Sequence, residues 1–176
     1  GVIKEPRMRR FQFLIALLAL LAGLSGCGFQ LRGAYTLPYE SIYIAGADYN
    51  LIIAGLKRAI RGTGAAQLAE KASEAQATFL PTSEIREPVI LSLSSAGRVR
   101  EKRLRYVYGY RIVDSKGRDL VPPSSVELYR DISYADSDVL AKTQEEDLLW
   151  RDMEKDLVQQ LLRRIATAKP VTPEED

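Results

Sequence analysis

Cys27, the only cysteine of this 176-residue chain, stands between two glycines at the end of Leu24-Ser25-Gly26-Cys27. Small residues before a lone thiol suit a signal-peptidase site, and the four residues match the bacterial lipobox, in which the thiol accepts diacylglycerol. A small buried hydrophobe is the competing reading of such a cysteine. A second group able to do chemistry is Arg98, Arg100, Lys102, Arg103 and Arg105, five cations within eight positions opposed only by Glu101. Guanidinium and ammonium groups form short charge-assisted bonds to phosphate and carboxylate, and arginine can do so as a bidentate fork. A strand edge kept soluble by its charges explains the same cluster equally well. Glu145 and Glu146 superficially resemble a glycosidase pair, but neighbours on a helix point in different directions. The chain contains no histidine. With one cysteine, this excludes an internal disulfide framework, a Cys/His zinc site and a His-based triad.

The residues before Cys27 decide between its two readings. Met8 is followed by Arg9 and Arg10, then by an apolar run from Phe11 to Leu24, then by small residues, which is the layout of a secretory signal peptide. The run is shorter than the roughly 20 residues a bilayer-spanning helix needs. Residues 1–26 are therefore expected to be a leader, with translation starting at Met8, and residues 27–168 a single lipoprotein domain anchored at Cys27. Two acyl chains and an amide-linked third exceed the roughly two signals that stable anchoring takes. Gly28 follows the cysteine where an aspartate would suggest inner-membrane retention, so the resemblance to sorted lipoproteins implies the outer membrane. Residues 1–26 hold four Lys/Arg and one Asp/Glu. Of the 25 and 23 in the whole chain, 21 and 22 remain, a net charge of −1. Neither this charge nor a secreted destination suits a nucleic-acid partner.

One compact domain is what this length supports, and 46% hydrophobic with 27% charged residues is an ordinary globular composition. Ser41–Ala45 alternates as a short strand. Asp48 and Asn50 offer N-caps to LIIAGLKRAIRG, where Ile52, Leu56, Ala59 and Ile60 recur at helical spacing before Gly62. The weakly patterned segment 63–78 is expected to hold a short strand near Ala65–Leu68 and a loop. Two long alternating runs follow. Val89, Leu91 and Leu93 share a face of the first; Leu104, Tyr106, Tyr108, Tyr110 and Ile112 share a face of the second and read as core. Asp114-Ser115-Lys116-Gly117 is turn chemistry, Pro122 and Pro123 are expected in the connection, and Val126, Leu128, Arg130, Ile132 and Tyr134 alternate in a further strand. Asp136-Ser137-Asp138 should cap a long helix whose stripe is Leu149, Met153, Leu157, Leu161 and Ile165, widened by Trp150 and Val158. Residues 169–176, KPVTPEED, are expected to be a disordered acidic tail. The elements predict an α+β two-layer sandwich, with two helices packed on one face of a mostly antiparallel sheet of about four strands.

The lipobox followed by CGFQLRG, the SIYI strand after a proline, the long hairpin and YRDISYADSDVLAKTQEEDLLWRDMEKDLVQQLLRRI resemble the LPS-assembly lipoprotein family LptE (RlpB). Cys-Gly-Phe-x-Leu-Arg-Gly and the Leu140-Ala141-Lys142 segment carry the likeness most specifically; residues 63–95 match only in pattern. The resemblance implies a non-enzymatic plug inside the outer-membrane β-barrel LptD. Such a protein helps the barrel mature and assists insertion of lipopolysaccharide into the outer leaflet, without a cofactor beyond the lipid on Cys27. It further implies lipopolysaccharide contact at Lys142, with Arg98, Arg100, Lys102 and Arg103 suited to lipid A phosphates. A cation near a helix N-terminus opposes the macrodipole by about 0.3–1 kcal/mol, which disfavours Lys142 as a purely stabilising residue. Two rivals stay open at this level: another outer-membrane lipoprotein, such as an accessory subunit of a lipid transporter or of barrel assembly, and a periplasmic cell-wall hydrolase.

Overall fold

The computed structural model describes residues 36–134 and 139–168. The leader, Cys27, the Asp136–Asp138 cap and the acidic tail lie outside the described residues. The elements run β1 (Ser41–Ile44), α1 (Leu51–Thr63), β2 (Gln67–Leu68), a 3-10 turn (Ala72–Glu74), β3 (Ala77–Leu93), β4 (Val99–Asp114), β5 (Asp119–Ser133) and α2 (Val139–Thr167). They form one five-stranded sheet in the order β2-β1-β3-β4-β5, parallel on the β1 side and antiparallel from β3 to β5. The expected α+β class therefore holds, with one more strand than the estimate of about four.

Helix α1 begins where the Asn50 carboxamide oxygen accepts from the backbone N–H groups of Ile52 and Ile53 at 2.9 and 3.0 Å, satisfying two otherwise orphaned donors. Asp48, the other candidate cap, instead pairs with Lys57. The helix does not stop at Gly62. It runs on through Thr63 and ends at Gly64, whose φ of +62° is the left-handed conformation that glycine adopts without a Cβ penalty.

Ile52, Ile53, Leu56 and Ile60 of α1, and Trp150, Met153, Leu157, Val158, Leu161, Leu162 and Ile165 of α2, are buried against one face of the sheet. That face supplies Ile42, Ile44, Phe79, Leu104, Tyr106, Tyr108, Tyr110, Ile112, Val126, Leu128 and Ile132. The tyrosine stripe of β4 is thus core. At the α1–α2 contact, a Cβ on Gly55 would stand 2.9 Å from Val158 Cγ2, so the small residue lets the helices approach.

The strands depart from simple alternation at three places, and one of them corrects an expectation. Strand β3 is longer than the alternating run at its end: it starts at Ala77 and takes in Pro81 and Pro88. β1 covers its outer edge only from Ala77 to Phe79. From there to Leu93 that edge pairs with no strand among the described residues, and an edge is where a strand tolerates proline, since no partner requires the missing N–H. Pro122 and Pro123, expected in the connection, lie inside β5. β5 is an edge strand, and both prolines fall at a register shift where Ser124 pairs with Tyr110 but Val121 with Ile112. Finally, Val89, Leu91 and Leu93 are all exposed, and a register shift between Ile90 and Ser92 puts Leu91 in a bulge. They form no buried face: Val89 stands opposite Arg103, on the side of the sheet turned away from the helices.

Candidate functional site

The β3–β4 hairpin closes in a turn from Ser94 to Arg98. Ser94 N–H donates to Arg98 O at 2.7 Å, Gly97 N–H to Ser94 O at 2.9 Å and Arg98 N–H to Ser94 Oγ at 3.1 Å. Gly97 has φ +73°, which this turn needs. The cationic cluster begins at this turn and runs down β4. At the base of the turn an open depression of about 510 Å³ is lined by Ser92, Leu93, Arg100, Glu101, Ser133 and Tyr134.

Strand alternation then separates the remaining cations. Lys102 shares the helix-facing side of β4 with Leu104 and Tyr106. Its ammonium donates to Glu146 Oε2 of α2 at 2.8 Å and lies 5.2 Å from the centre of the Tyr134 ring. Burial works against the Lys102 charge, but bonding to Glu146 and Tyr134 outweighs it and holds the ammonium above its ordinary pKa. Arg103 and Arg105 take the opposite face. Arg103 is bidentate to Asp131 at 2.7 and 2.9 Å and lies over Tyr129. Arg105 bridges Glu127 at 2.6 Å and Glu87 at 2.7 Å, and these two bonds raise its pKa further. Arg103 and Arg105 are therefore neutralised across strands.

Lys142 sits in the first turns of α2, with its ammonium 2.6 Å from Glu145 Oε2. Glu146 lies one turn further along the same helix and reaches Lys102, so α2 brings Lys142 to the same end of the sandwich as Arg98, Arg100 and Lys102. Arg103 is at this end too, but behind the sheet. Two participants were not marked as such by the sequence: Tyr134, read only as a member of an alternating strand, and Glu146, read only as half of a carboxylate pair. A second aromatic-capped cation was likewise hidden. Arg86 of β3 stacks at 4.3 Å over Trp150 and pairs with Glu154 at 2.9 Å. Only its mid-strand position on the helix-facing side would have hinted at this. Among the described residues no group of three or more Asp, Glu, His or Cys could hold a metal ion.

Solved bacterial lipoproteins share this α+β fold. Lipoprotein B from Nitrosomonas europaea is 38% identical, with 79% of this chain and 90% of that one covered at a TM-score of 0.68. Rare lipoprotein B from Shewanella oneidensis is 20% identical, covering 72% and 94% at 0.63. A minor lipoprotein from Acinetobacter baumannii is 21% identical, covering 78% and 99% at 0.61; at these identities the last two speak for the fold alone. No curated protein matches the chain. The model of the family described as LptE, lipopolysaccharide-assembly, matches residues 39–165, and the chain belongs to that family.

Proposed function

We propose that this chain is an outer-membrane lipoprotein, tethered through diacylglycerol on Cys27, that plugs the lumen of the LPS-assembly β-barrel LptD. In this reading it assists both the maturation of that barrel and the delivery of lipopolysaccharide to the outer leaflet. The observation that carries the reading is the family match over residues 39–165, nearly the whole described domain. Its work is recognition and shape rather than covalent chemistry. Residues 1–26 act as the leader, 27–168 as the working domain facing the periplasm and the barrel lumen, and 169–176 as a tail. Arg98, Arg100, Lys102 and Lys142 meet lipid A phosphates at the hairpin end, and Arg103 stiffens the hairpin through Asp131.

Cys27→Ala is expected to abolish incorporation of a fatty-acid analogue in cells, and label on the variant would refute the anchor. Detergent extraction followed by pull-down of the wild-type chain should bring down one very large barrel protein. An accessory subunit of another transporter would bring down a different partner. Replacing Arg100 and Lys142 together by glutamate should weaken lipopolysaccharide binding, most at low salt where screening is weakest. Copurification with the barrel should survive, because plugging depends on shape elsewhere.

A further inference from the structure

Helix α2 is longer than the core it packs on. Among its described side chains the first buried one is Trp150, while Leu140 and Leu148 are 69% and 61% exposed and Leu149 only leans against the core. Residues 139–149, about 16 Å of helix at 1.5 Å per residue, therefore overhang the hydrophobic stripe. Glu146 ties this overhang to the sheet. Its Oε2 accepts from Lys102 Nζ of β4 at 2.8 Å and from the Tyr134 hydroxyl, just past β5, at 3.3 Å. Two donors from two parts of the sheet thus converge on one oxygen. Burial alone would raise the Glu146 pKa, but Lys102, Trp150 and Tyr134 outweigh it and keep the carboxylate below its ordinary range. Lys102 and Glu146 side chains are each about four-fifths covered, so the pair is shielded from bulk screening.

This is an anion cradle filled by the protein's own carboxylate. Tyr134 also lines the open depression that holds Arg100, which gives the cradle an entrance from the hairpin end. A phosphate monoester carries more charge than a carboxylate, about −1.5 to −2 at neutral pH, and three acceptor oxygens. Beyond the two donors that Glu146 occupies, it would find a further cation, Arg100, lining the same depression as Tyr134. Lys142, one turn before Glu146 and held by Glu145, is a further cation on the part of α2 that would be freed.

We propose that Glu146 is a resident competitor at this site: an incoming lipid phosphate monoester displaces its carboxylate from Lys102 and Tyr134, and the displacement releases residues 139–149 of α2 from the sheet. The inference rests on the lipopolysaccharide reading above and adds a coupling between ligand capture and helix release. A ligand moves such an equilibrium only by its differential affinity for the two states. The cradle supplies that difference, because it is open to the ligand only after Glu146 has left.

The chain has one tryptophan, Trp150, placed where the overhang meets the core and interacting with Glu146. Its emission reports the release directly. The full-length acylated protein in neutral detergent would be titrated with bisphosphorylated lipid A, with the same lipid after removal of both phosphates, and with inorganic phosphate. Trp150 emission and amide exchange over residues 139–149 would be followed. Bisphosphorylated lipid A is expected to shift the emission and speed exchange by tenfold or more, and the other two probes to do neither. Glu146→Gln should bind bisphosphorylated lipid A severalfold more tightly and show fast exchange over 139–149 before any ligand is added. Equal or weaker binding by Glu146→Gln, with an unchanged thermal melt, would overturn the competitor role while leaving the lipopolysaccharide reading intact. A full response to inorganic phosphate would overturn the lipid headgroup as the ligand. Loss of all lipid A binding by the wild type, together with absence of the barrel from pull-downs, would instead refute the functional reading itself.

Discussion

Phe79→Ala is expected to destabilise the domain by about 3–5 kcal/mol, the range for truncating a fully buried aromatic. Phe79 is 0% exposed and sits where β1, β3 and β4 meet, paired with Ile44 on one side and Ile112 on the other. Its ring stacks on Tyr110 with centroids 5.5 Å apart and planes 12° from parallel, an arrangement that adds to plain area burial. The void left by alanine cannot close easily, since the backbone at this point is hydrogen-bonded on both sides, including Ala45 N–H to Phe79 O at 3.0 Å. Against a typical total of about 5–15 kcal/mol, the loss is a large fraction of stability. It should lower Tm by roughly 10–20 °C for a domain of this size. Thermal and urea melts followed by circular dichroism would measure it. A loss below about 1 kcal/mol would mean that the sheet relaxes around this site and that Phe79 does not key the junction.

The second large effect is expected in alkali. Tyr39, Tyr106, Tyr108 and Tyr110 are all buried, and in each burial is the main cause that pushes the phenol above its ordinary value, Tyr39 to about 12. Hydrogen bonds reinforce this. The Tyr39 hydroxyl donates to Ala168 O at 2.6 Å, joining the approach to β1 to the end of α2, and the Tyr106 hydroxyl donates to Glu84. A phenolate at either place would face an acceptor that repels it. Because the folded pKa values lie above the unfolded value near 10, the neutral phenols stabilise the fold fully below pH 10. That contribution is lost as pH rises toward 12 and beyond. Each tyrosine makes stability fall by about 1.4 kcal/mol per pH unit between its unfolded and its folded value, so the combined fall just above pH 10 amounts to several kcal/mol per unit. No histidine exists to titrate between pH 5.5 and 8.5, and stability there should be nearly flat. Absorbance at 295 nm and circular dichroism should therefore change together above pH 10. Smooth ionisation of these four phenols near pH 10 with the fold intact would contradict their burial.

The basic end shows why some of this chain could be read from its residues and some could not. Side-chain alternation in a strand is a local property, so the tyrosine stripe and the separation of Lys102 from Arg103 follow from the order of residues alone. The stripe of α2 and the Asn50 cap are equally local, as is the match to the lipobox at Cys27. With the absence of histidine, these settled the α+β class, the buried face and the chemistry that is excluded. The identity of each cation's partner is different. Lys102 meets Glu146 across 44 positions and Arg103 meets Asp131 across 28, distances that only strand register and helix packing determine.

The placement of the prolines was decided by the tertiary structure too. Pro122 and Pro123 read as part of a connection when the only rule applied is the missing N–H, and Pro81 and Pro88 break the same rule. They sit within strands here because β1 is too short to cover β3 and because β5 is an edge, facts that emerge only from pairing. Insertion of β1 between β2 and β3, in parallel, likewise follows from no local pattern, since it requires α1 to cross over one face and return the chain to the sheet. Local sequence thus determined which face of each element is apolar. The register between elements determined which charges are neutralised, which cradle is filled by Glu146, and which length of helix is left beyond the core.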